Sequence, residues 1–425
     1  MPTPRMFLAA FLFSAVLLLA DANAQTYSLL HAFSGLADGG GPEEQLIEDA
    51  SGNLFGTTNW GGDGHCRNPG CGVVFGLDPS GVLTVLHTFT GKDGANPLGN
   101  MAYDGSDALY GTTADGGALM DCVNITKPVG CGVIFKLNKV TGQFTVLYRF
   151  AGGADGAGPN GLIRDAEGNL YGATGGGGMA GCGNSGTCGT ILKLDTTGKH
   201  TVLYAFTGAT DGGFPIAVVV DKAGNLYGTT NVGGDLNCNP NSGYGAGCGT
   251  VFELTAAGDF KVLHAFAGGK DGEELASYAT LLLDPAGNLY GTTPYGGVQD
   301  CSGVPGCGLI FKINSAGKGT VLYSFSNGNL AYGENPYYGL TNDRAGNLYS
   351  TTTYGGNPFA CYPGGCGTVD RLDRNGISTV VYTFENQADG KYPTFLTSDS
   401  AGNLYGATVG GGGYDASGTI FKIAP

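Results

Sequence analysis

The cysteines are the residues whose spacing most clearly suggests a chemistry. All twelve fall in six close pairs, which are Cys66/Cys71, Cys122/Cys131, Cys182/Cys188, Cys238/Cys248, Cys301/Cys307 and Cys361/Cys366. Separations of five to ten residues differ from the Cys-x-x-Cys spacing of zinc sites, and His65 is the one histidine among them. An even number of cysteines, paired within each copy of a repeat, favours six local disulfides over metal ligation.

The histidines argue against catalysis. His31, His87 and His264 occupy a position that holds tyrosine in other copies of the same segment, so we interpret them as structural. The chain has no Ser-His-Asp phrase, no zinc-binding helix motif and no phosphate loop, and we assign neither catalytic residues nor a cofactor. If the protein is nevertheless an enzyme, the polar residues Glu48, Arg164 and Asn342 are the candidates for an asymmetric site in a central channel.

Repeated Asp-Gly pairs raise the question of calcium binding. They contain Asp38, Asp93, Asp155, Asp211, Asp271 and Asp389. A ring of carboxylates on an acidic protein would suit Ca²⁺. Because the pair recurs in nearly every repeat, we favour a simpler interpretation, a hydrogen-bonded turn before the proline that usually follows.

Aromatic residues break the symmetry of the repeat and are the candidates for ligand binding. They are Trp60, Tyr295, Tyr354, Tyr362 and Tyr414. Exposed rings among Asn and Asp side chains suit stacking on sugars or anchoring a protein partner. The alternative is that these rings only fill gaps between repeats.

The elements that position these residues are seven copies of one repeat of roughly 60 residues. Each copy contains a GNLYGTT-like phrase preceded by an aspartate, and these aspartates are Asp49, Asp104, Asp165, Asp221, Asp284, Asp343 and Asp399. Four short segments in each copy are rich in β-branched and aromatic residues and are bounded by Gly, Asn or Asp. This pattern predicts an all-β, seven-bladed propeller with four-stranded antiparallel blades. The predicted blades are residues 41–90, 96–151, 158–207, 214–267, 275–326, 335–385, and 392–425 together with 26–33.

The two ends of the chain predict how the propeller closes. Tyr27–Phe33 reads as the fourth strand of a repeat, and the segment at the C-terminus ends after a third strand. We expect them to share one blade, because this pairing removes an open sheet edge.

The phrases GNLYGTT, GCGTVF and TVLYSF, in this order, resemble the GloVer tandem repeats of exported bacterial proteins. The resemblance covers essentially the whole mature chain and implies export, but no defined activity. The strand pattern is also similar to that of NHL-type propellers.

Composition and the N-terminus predict the compartment and exclude some partners. Residues 1–24 have the positive start, apolar run and small residues of a signal peptide, which leaves 25–425 as one domain. We expect no membrane span after cleavage, a periplasmic or extracellular location and a monomer. The net charge of −15 disfavours nucleic acid as a partner.

Two functions are consistent with these observations. We favour a binding or scaffold protein that holds a glycan or protein on its disulfide-linked loops. The alternative is a channel-centred lactonase, hydrolase or lyase that is assisted by a metal.

Overall fold

The computed structural model confirms a seven-bladed propeller of antiparallel sheets. The structure describes residues 25–62, 66, 70–117, 123–124, 127–128, 130–182, 186–239, 245–273, 280–297, 301, 306–326, 333–361, 364–412 and 417–425. The predicted signal peptide lies outside these residues and stays a prediction.

Each blade has four strand positions, numbered from the propeller axis outward. The strands of blades one to three are Ile47–Glu48, Leu54–Thr58, Val73–Leu77 and Leu83–Thr88; Ala95–Pro97 with Ala102–Tyr103, Ala108–Asp115, Val133–Asn138 and Phe144–Arg149; and Ala157–Arg164, Leu170–Gly176, Thr190–Leu194 and His200–Ala205. Those of blades four and five are Gly213–Val220, Leu226–Val232, Thr250–Leu254 and Phe260–Ala265; and Leu282–Leu283, Leu289–Thr293, Leu309–Ile313 and Gly319–Ser324. Those of blades six and seven are Thr341–Asn342, Leu348–Thr352, Thr368–Leu372 and Ser378–Thr383; and Lys391–Ser398, Leu404–Gly410, Thr419–Ala424 and Thr26–Ala32.

A few shorter elements lie in the connections between these strands. They are the strand pairs Val123–Asn124 with Lys127–Pro128 and Gly333–Glu334 with Tyr354–Gly355, and the short 3-10 helices Gly153–Asp155 and Gly269–Asp271. Within the described part of the chain, no helix is long and apolar enough to cross a membrane.

The ends of the chain close the ring as the sequence predicts. Thr26–Ala32 pairs antiparallel with Thr419–Ala424, with Tyr27 opposite Ile423. The Tyr27 ring stacks on Tyr382 of blade six at a centroid distance of 4.4 Å, and its hydroxyl donates to the Asp389 carbonyl at 3.1 Å. The N-terminal strand therefore completes blade seven and also contacts the blade before it.

Phenylalanine rings fill the interfaces between successive blades. A buried phenylalanine follows the fourth strand of every blade, and these residues are Phe33, Phe89, Phe150, Phe206, Phe266, Phe325 and Phe384. At five interfaces this ring packs edge-to-face against a third-strand phenylalanine of the next blade. Phe206 and Phe252, for example, have a centroid distance of 5.3 Å and an interplanar angle of 62°. The second strand supplies a glycine beneath the third-strand ring, because a Cβ at Gly228 would lie 2.6 Å from Phe252.

A backbone connection joins the second cysteine of a pair to the start of the next blade. The Cys71 carbonyl accepts a hydrogen bond from Asn96 at 3.0 Å, and the Cys366 carbonyl accepts one from Tyr392 at 2.9 Å. In blade seven, Ser417 takes the place of this cysteine and its carbonyl accepts from Gly41 at 2.9 Å. The disulfide thus holds a loop whose backbone positions the neighbouring blade.

This connection predicts the effect of removing one disulfide. The Cys66→Ala, Cys71→Ala double variant should fold, because blade seven makes the same backbone contact without a disulfide. It should lose about 2 kcal/mol of unfolding free energy through the loop-entropy effect, measured by urea denaturation. An unchanged urea midpoint would contradict a stabilising role for the bridge.

Candidate functional site

The disulfides lie on one face of the propeller, which we call the disulfide face. It carries the loops between second and third strands and the connections between blades, whereas the opposite turn face carries the tight turns. The structure contains the bridges Cys66–Cys71, Cys182–Cys188, Cys238–Cys248, Cys301–Cys307 and Cys361–Cys366. Cys131 is also disulfide-bonded, while its predicted partner Cys122 lies outside the described residues.

Metal ligation by cysteine finds no support among the described residues. In the described part of the chain, the one group of three His, Cys, Asp or Glu side chains with converging ligand atoms is Cys301, Cys307 and Glu334. Its two sulfur atoms are already joined in a disulfide and are not available as thiolates.

The repeated Asp-Gly aspartates form hydrogen-bonded turns, as the simpler interpretation predicts. Asp38 accepts from Ser34 and from the His31 ring, and Asp211 accepts from Thr207 and the Tyr204 hydroxyl. Histidine and tyrosine interchange at this fourth-strand position because both reach the turn carboxylate with a ring donor. His65 lies outside the described residues.

Two tyrosine pairs lie on the disulfide face at successive blade interfaces. Tyr295 of blade five and Tyr337 of blade six are hydrogen-bonded through their hydroxyls, with centroids 5.9 Å apart and planes at 84°. Tyr354 of blade six meets Tyr392 of blade seven at 5.8 Å and 75°. Tyr354 is 39% exposed, and Phe359 in the same sector is 89% exposed. These pairs bring two of the predicted aromatic residues into one region of the face.

The second pair includes a residue with a strained backbone. Tyr392 directly precedes Pro393 and has a φ of 58°, a left-handed conformation that costs a non-glycine residue about 1–2 kcal/mol. The equivalent residue is a glycine or asparagine in four other blades, as at Asn335, where this conformation is less costly. Phe214 of blade four has the same strained conformation, with a φ of 53°. In blade seven this conformation places a tyrosine ring beside Tyr354.

The other predicted aromatic residues contribute less to this sector. Trp60 is half-buried, and its indole lies so close to Gly41 that a Cβ there would be 2.5 Å from the ring nitrogen. This packing against backbone agrees with a gap-filling role for Trp60. Tyr362 and Tyr414 lie outside the described residues and stay predictions.

A cavity of about 260 Å³ lies on the propeller axis and is lined by residues in or beside the first strands of all seven blades. Its lining includes the second and fourth residues before the repeated aspartate, such as Val219 and Ala217. Glu48, Arg164 and Asn342, each directly before that aspartate, are not among the lining residues. Side chains alternate along a strand, so this position points toward a neighbouring blade. The structure does not bring these three together as a polar channel site.

Glu44 is the acidic group of the axial cavity, and the sequence analysis missed it. Its side chain is 4% exposed and its Oε1 atom has no hydrogen-bond partner among the described residues. Burial raises the pKa of Glu44 to about 8, despite a hydrogen bond from the Gly99 backbone. Beside it, the Asn100 amide donates to the Gln45 side-chain oxygen at 3.2 Å. The cavity therefore holds a carboxyl group whose neutral form is favoured by burial, next to an amide pair.

Blade six replaces the ring-and-glycine packing of the other blades with two polar residues. Asp370 stands where five blades have phenylalanine, and Ser350 stands opposite it where they have glycine. Asp370 is 2% exposed, and both its Oδ1 and the Ser350 hydroxyl lack a partner among the described residues. Burial raises the pKa of Asp370 to about 7, although a hydrogen bond with Thr368 lowers it.

Asp370 lies at the end of a short chain of hydroxyl contacts. Thr368 contacts both the Asp370 carboxyl and the Thr352 hydroxyl, and Thr352 also contacts the Tyr354 carbonyl at 2.9 Å. In blade seven the corresponding chain ends on a backbone carbonyl, that of Asp389, in place of a carboxyl group. The chain therefore connects Asp370 to the backbone of Tyr354.

Comparison with known proteins identifies the family. The model described as the Gloeobacter/Verrucomicrobia repeat matches residues 15–240 and 238–425. The chain belongs to this family. This confirms the resemblance drawn from the repeated phrases. No curated protein matches the chain.

Solved structures share the propeller fold at low sequence identity. An oligogalacturonate lyase in complex with manganese is 12% identical, with a TM-score of 0.54, and the match covers 94% of this chain and 96% of the lyase. A putative gluconolactonase is 12% identical, with a TM-score of 0.43 and coverage of 95% and 92%. A chain of a nidogen/laminin complex is 14% identical, with a TM-score of 0.42 and coverage of 73% and 89%. At these identities the likeness shows the fold alone.

The polar pair in blade six leads to a prediction about protein stability. The Asp370→Phe, Ser350→Gly variant restores the packing of the other blades and should gain about 1–4 kcal/mol of unfolding free energy. The native pKa of Asp370, about 7, lies above its ordinary value of 3.8, so the wild type loses stability as the pH rises between them. The gain should therefore be larger at pH 8 than at pH 4, measured by urea denaturation.

Two variants control this experiment. Asp370→Phe alone should be less stable than the double variant, because its ring would meet the Ser350 side chain. The opposite substitutions in blade five, Phe311→Asp with Gly291→Ser, should destabilise the protein, because they introduce the polar pair where a ring packs on a glycine. A gain in unfolding free energy that does not change with pH would show that burial does not raise the pKa of Asp370.

Proposed function

We propose that this protein is an exported glycan-binding module whose binding surface is the part of the disulfide face over blades five to seven. The observation that supports this most directly is the two tyrosine pairs at adjacent interfaces, Tyr295 with Tyr337 and Tyr354 with Tyr392. A tyrosine offers an apolar ring face for a sugar and a hydroxyl for its polar edge.

The rigidity of this surface also supports binding. Glu334 pairs with Tyr354 in a short antiparallel ladder, and the Asn335 side chain donates to the Pro294 carbonyl at 2.7 Å. Rings held in place before binding lose less conformational entropy when a ligand arrives. A neutral glycan also avoids repulsion from a protein with a net charge of −15.

Export follows from the cysteine chemistry. Five described disulfides indicate folding in an oxidising compartment outside the cytosol. A periplasmic or extracellular location, after removal of residues 1–24, is part of this proposal.

Substitution of the tyrosines tests the binding surface. A glycan array of the mature protein should identify a bound oligosaccharide, whose affinity is then measured by calorimetry. Tyr295→Ala and Tyr354→Ala should each weaken it at least about fivefold, through lost ring contact.

Met179→Ala is the matched control, because Met179 is 52% exposed on a blade-three loop of the same face. The Met179→Ala variant should bind the oligosaccharide with the affinity of the wild type. Unchanged affinity of both tyrosine variants would refute the proposal that this surface binds the ligand. If the variants instead weaken binding of a protein, the ligand is a protein and not a glycan.

A second candidate function is a hydrolase or lyase centred on the axial cavity. The specific observation in its favour is Glu44, a buried acid with an unpartnered oxygen and a pKa of about 8. A carboxylic acid that stays protonated near neutral pH is suited to general acid catalysis.

Glu44→Gln tests this second candidate. With a panel of lactones and uronic-acid glycosides, tested with and without added Mn²⁺ or Ca²⁺, an enzyme of this kind should show turnover that Glu44→Gln reduces at least about a hundredfold. Unchanged thermal stability of the variant would confirm an intact fold. Absence of turnover in the wild type would leave binding as the function.

A further inference from the structure

A cleft lies on the turn face, between blades five and six. Its volume is about 740 Å³, within the range of small-molecule sites. The wall of the cleft is apolar and consists of Leu282, Leu283, Leu322, Leu348, Leu372 and the ring of Tyr290. The cleft lies away from the tyrosine pairs and shares Leu282 with the lining of the axial cavity.

Asn342 lies at the edge of this cleft. At two other interfaces the residue directly before the repeated aspartate, Tyr103 or Val220, packs against the hydrophobic core. Asn342 holds this position in blade six, but it is exposed and its amide donates to the Asp343 carbonyl at 3.2 Å. Its short, outward-turned side chain therefore does not fill the space between the leucines.

Two arginines line this cleft without partners. Arg344 comes from the first tight turn of blade six and Arg374 from the second. In the part of the chain that the structure describes, neither guanidinium forms an ion pair or hydrogen bond. Lys312, which also lines the cleft, lies over the Tyr290 ring at 5.3 Å. The cleft thus combines an apolar wall with unused donors for an anion.

The aspartates beside the cleft are already engaged in their own turns. Asp284 accepts hydrogen bonds from Asn288 and Tyr290, and Asp343 accepts them from Asn347 and Tyr349. Asp373 accepts from the backbone of Asn375 and Ile377. These carboxylates balance the local charge, but their hydrogen-bonding capacity is largely used within the turns.

We infer that this cleft binds an amphipathic anion, meaning a molecule with an apolar body and one carboxylate or sulfonate group. The leucine wall would take the body, and Arg344 and Arg374 would donate to the acid group. Guanidinium groups suit such planar anions because they present several donors in a fixed geometry.

Dye binding tests this inference. The probe is 1-anilinonaphthalene-8-sulfonate, whose fluorescence increases in an apolar site, and the folded mature protein should bind one equivalent. The Arg344→Gln, Arg374→Gln variant should bind it about tenfold more weakly, since two charge-assisted contacts are lost. Asn342→Tyr should abolish binding by filling the cleft as Tyr103 does elsewhere. N-phenyl-1-naphthylamine, the uncharged analogue, should bind the wild type and the arginine variant equally.

The controls separate this site from general surface effects. Lys222→Gln, at the place of Arg344 in blade four, should bind the dye like the wild type. If Asn342→Tyr does not fold, the arginine variant decides alone, because it changes no residue of the core. Equal dye affinity of the wild type and the arginine variant would overturn the inference.

Discussion

The contact between an aromatic ring of one blade and a glycine-backed ring of the next is the interaction on which the propeller depends. A four-stranded blade cannot bury both of its faces alone, so each blade is stabilised by its neighbours. The ring after the fourth strand, as in Phe206, packs on the third-strand ring of the following blade, as in Phe252. Glycine in the second strand is required because the ring occupies the place of its side chain. Closure by Thr26–Ala32 gives blade seven the same contact through Phe33.

Blade six shows what happens when this constraint is relaxed. Asp370 and Ser350 change together, because a serine fits only when the opposing ring is absent. The same blade carries the outward-turned Asn342, the exposed Tyr354, and Arg344, which has no ion pair among the described residues, so its departures extend from the turn face to the disulfide face. Burying an acid without a charged partner lowers stability. We interpret blade six and its neighbours as the part of the ring where ligand recognition is concentrated.

The repeat made the blade count and the cysteine pairing predictable, because both recur along the sequence, and the two chain ends made the closure predictable. Asp370 stands where most third strands have phenylalanine, a difference that the repeat makes visible, although the burial of Asp370 was not predictable. Glu44 could not be found in this way, because first strands differ in length and sequence and their direction toward the axis depends on the closed ring. The pairing of Tyr354 with Tyr392 was equally hidden, since it depends on a left-handed backbone before Pro393.

Ligand recognition on the disulfide face should be confined to blades five to seven. Hydrogen exchange of the mature protein, with and without the oligosaccharide selected on a glycan array, tests this most directly. We expect slower exchange in the segments around Tyr295, Tyr337, Tyr354 and Tyr392, with no change around Met179 and the other loops of blades two to four. Protection of those loops, or equal protection in all seven blades, would show that recognition is not confined to this sector.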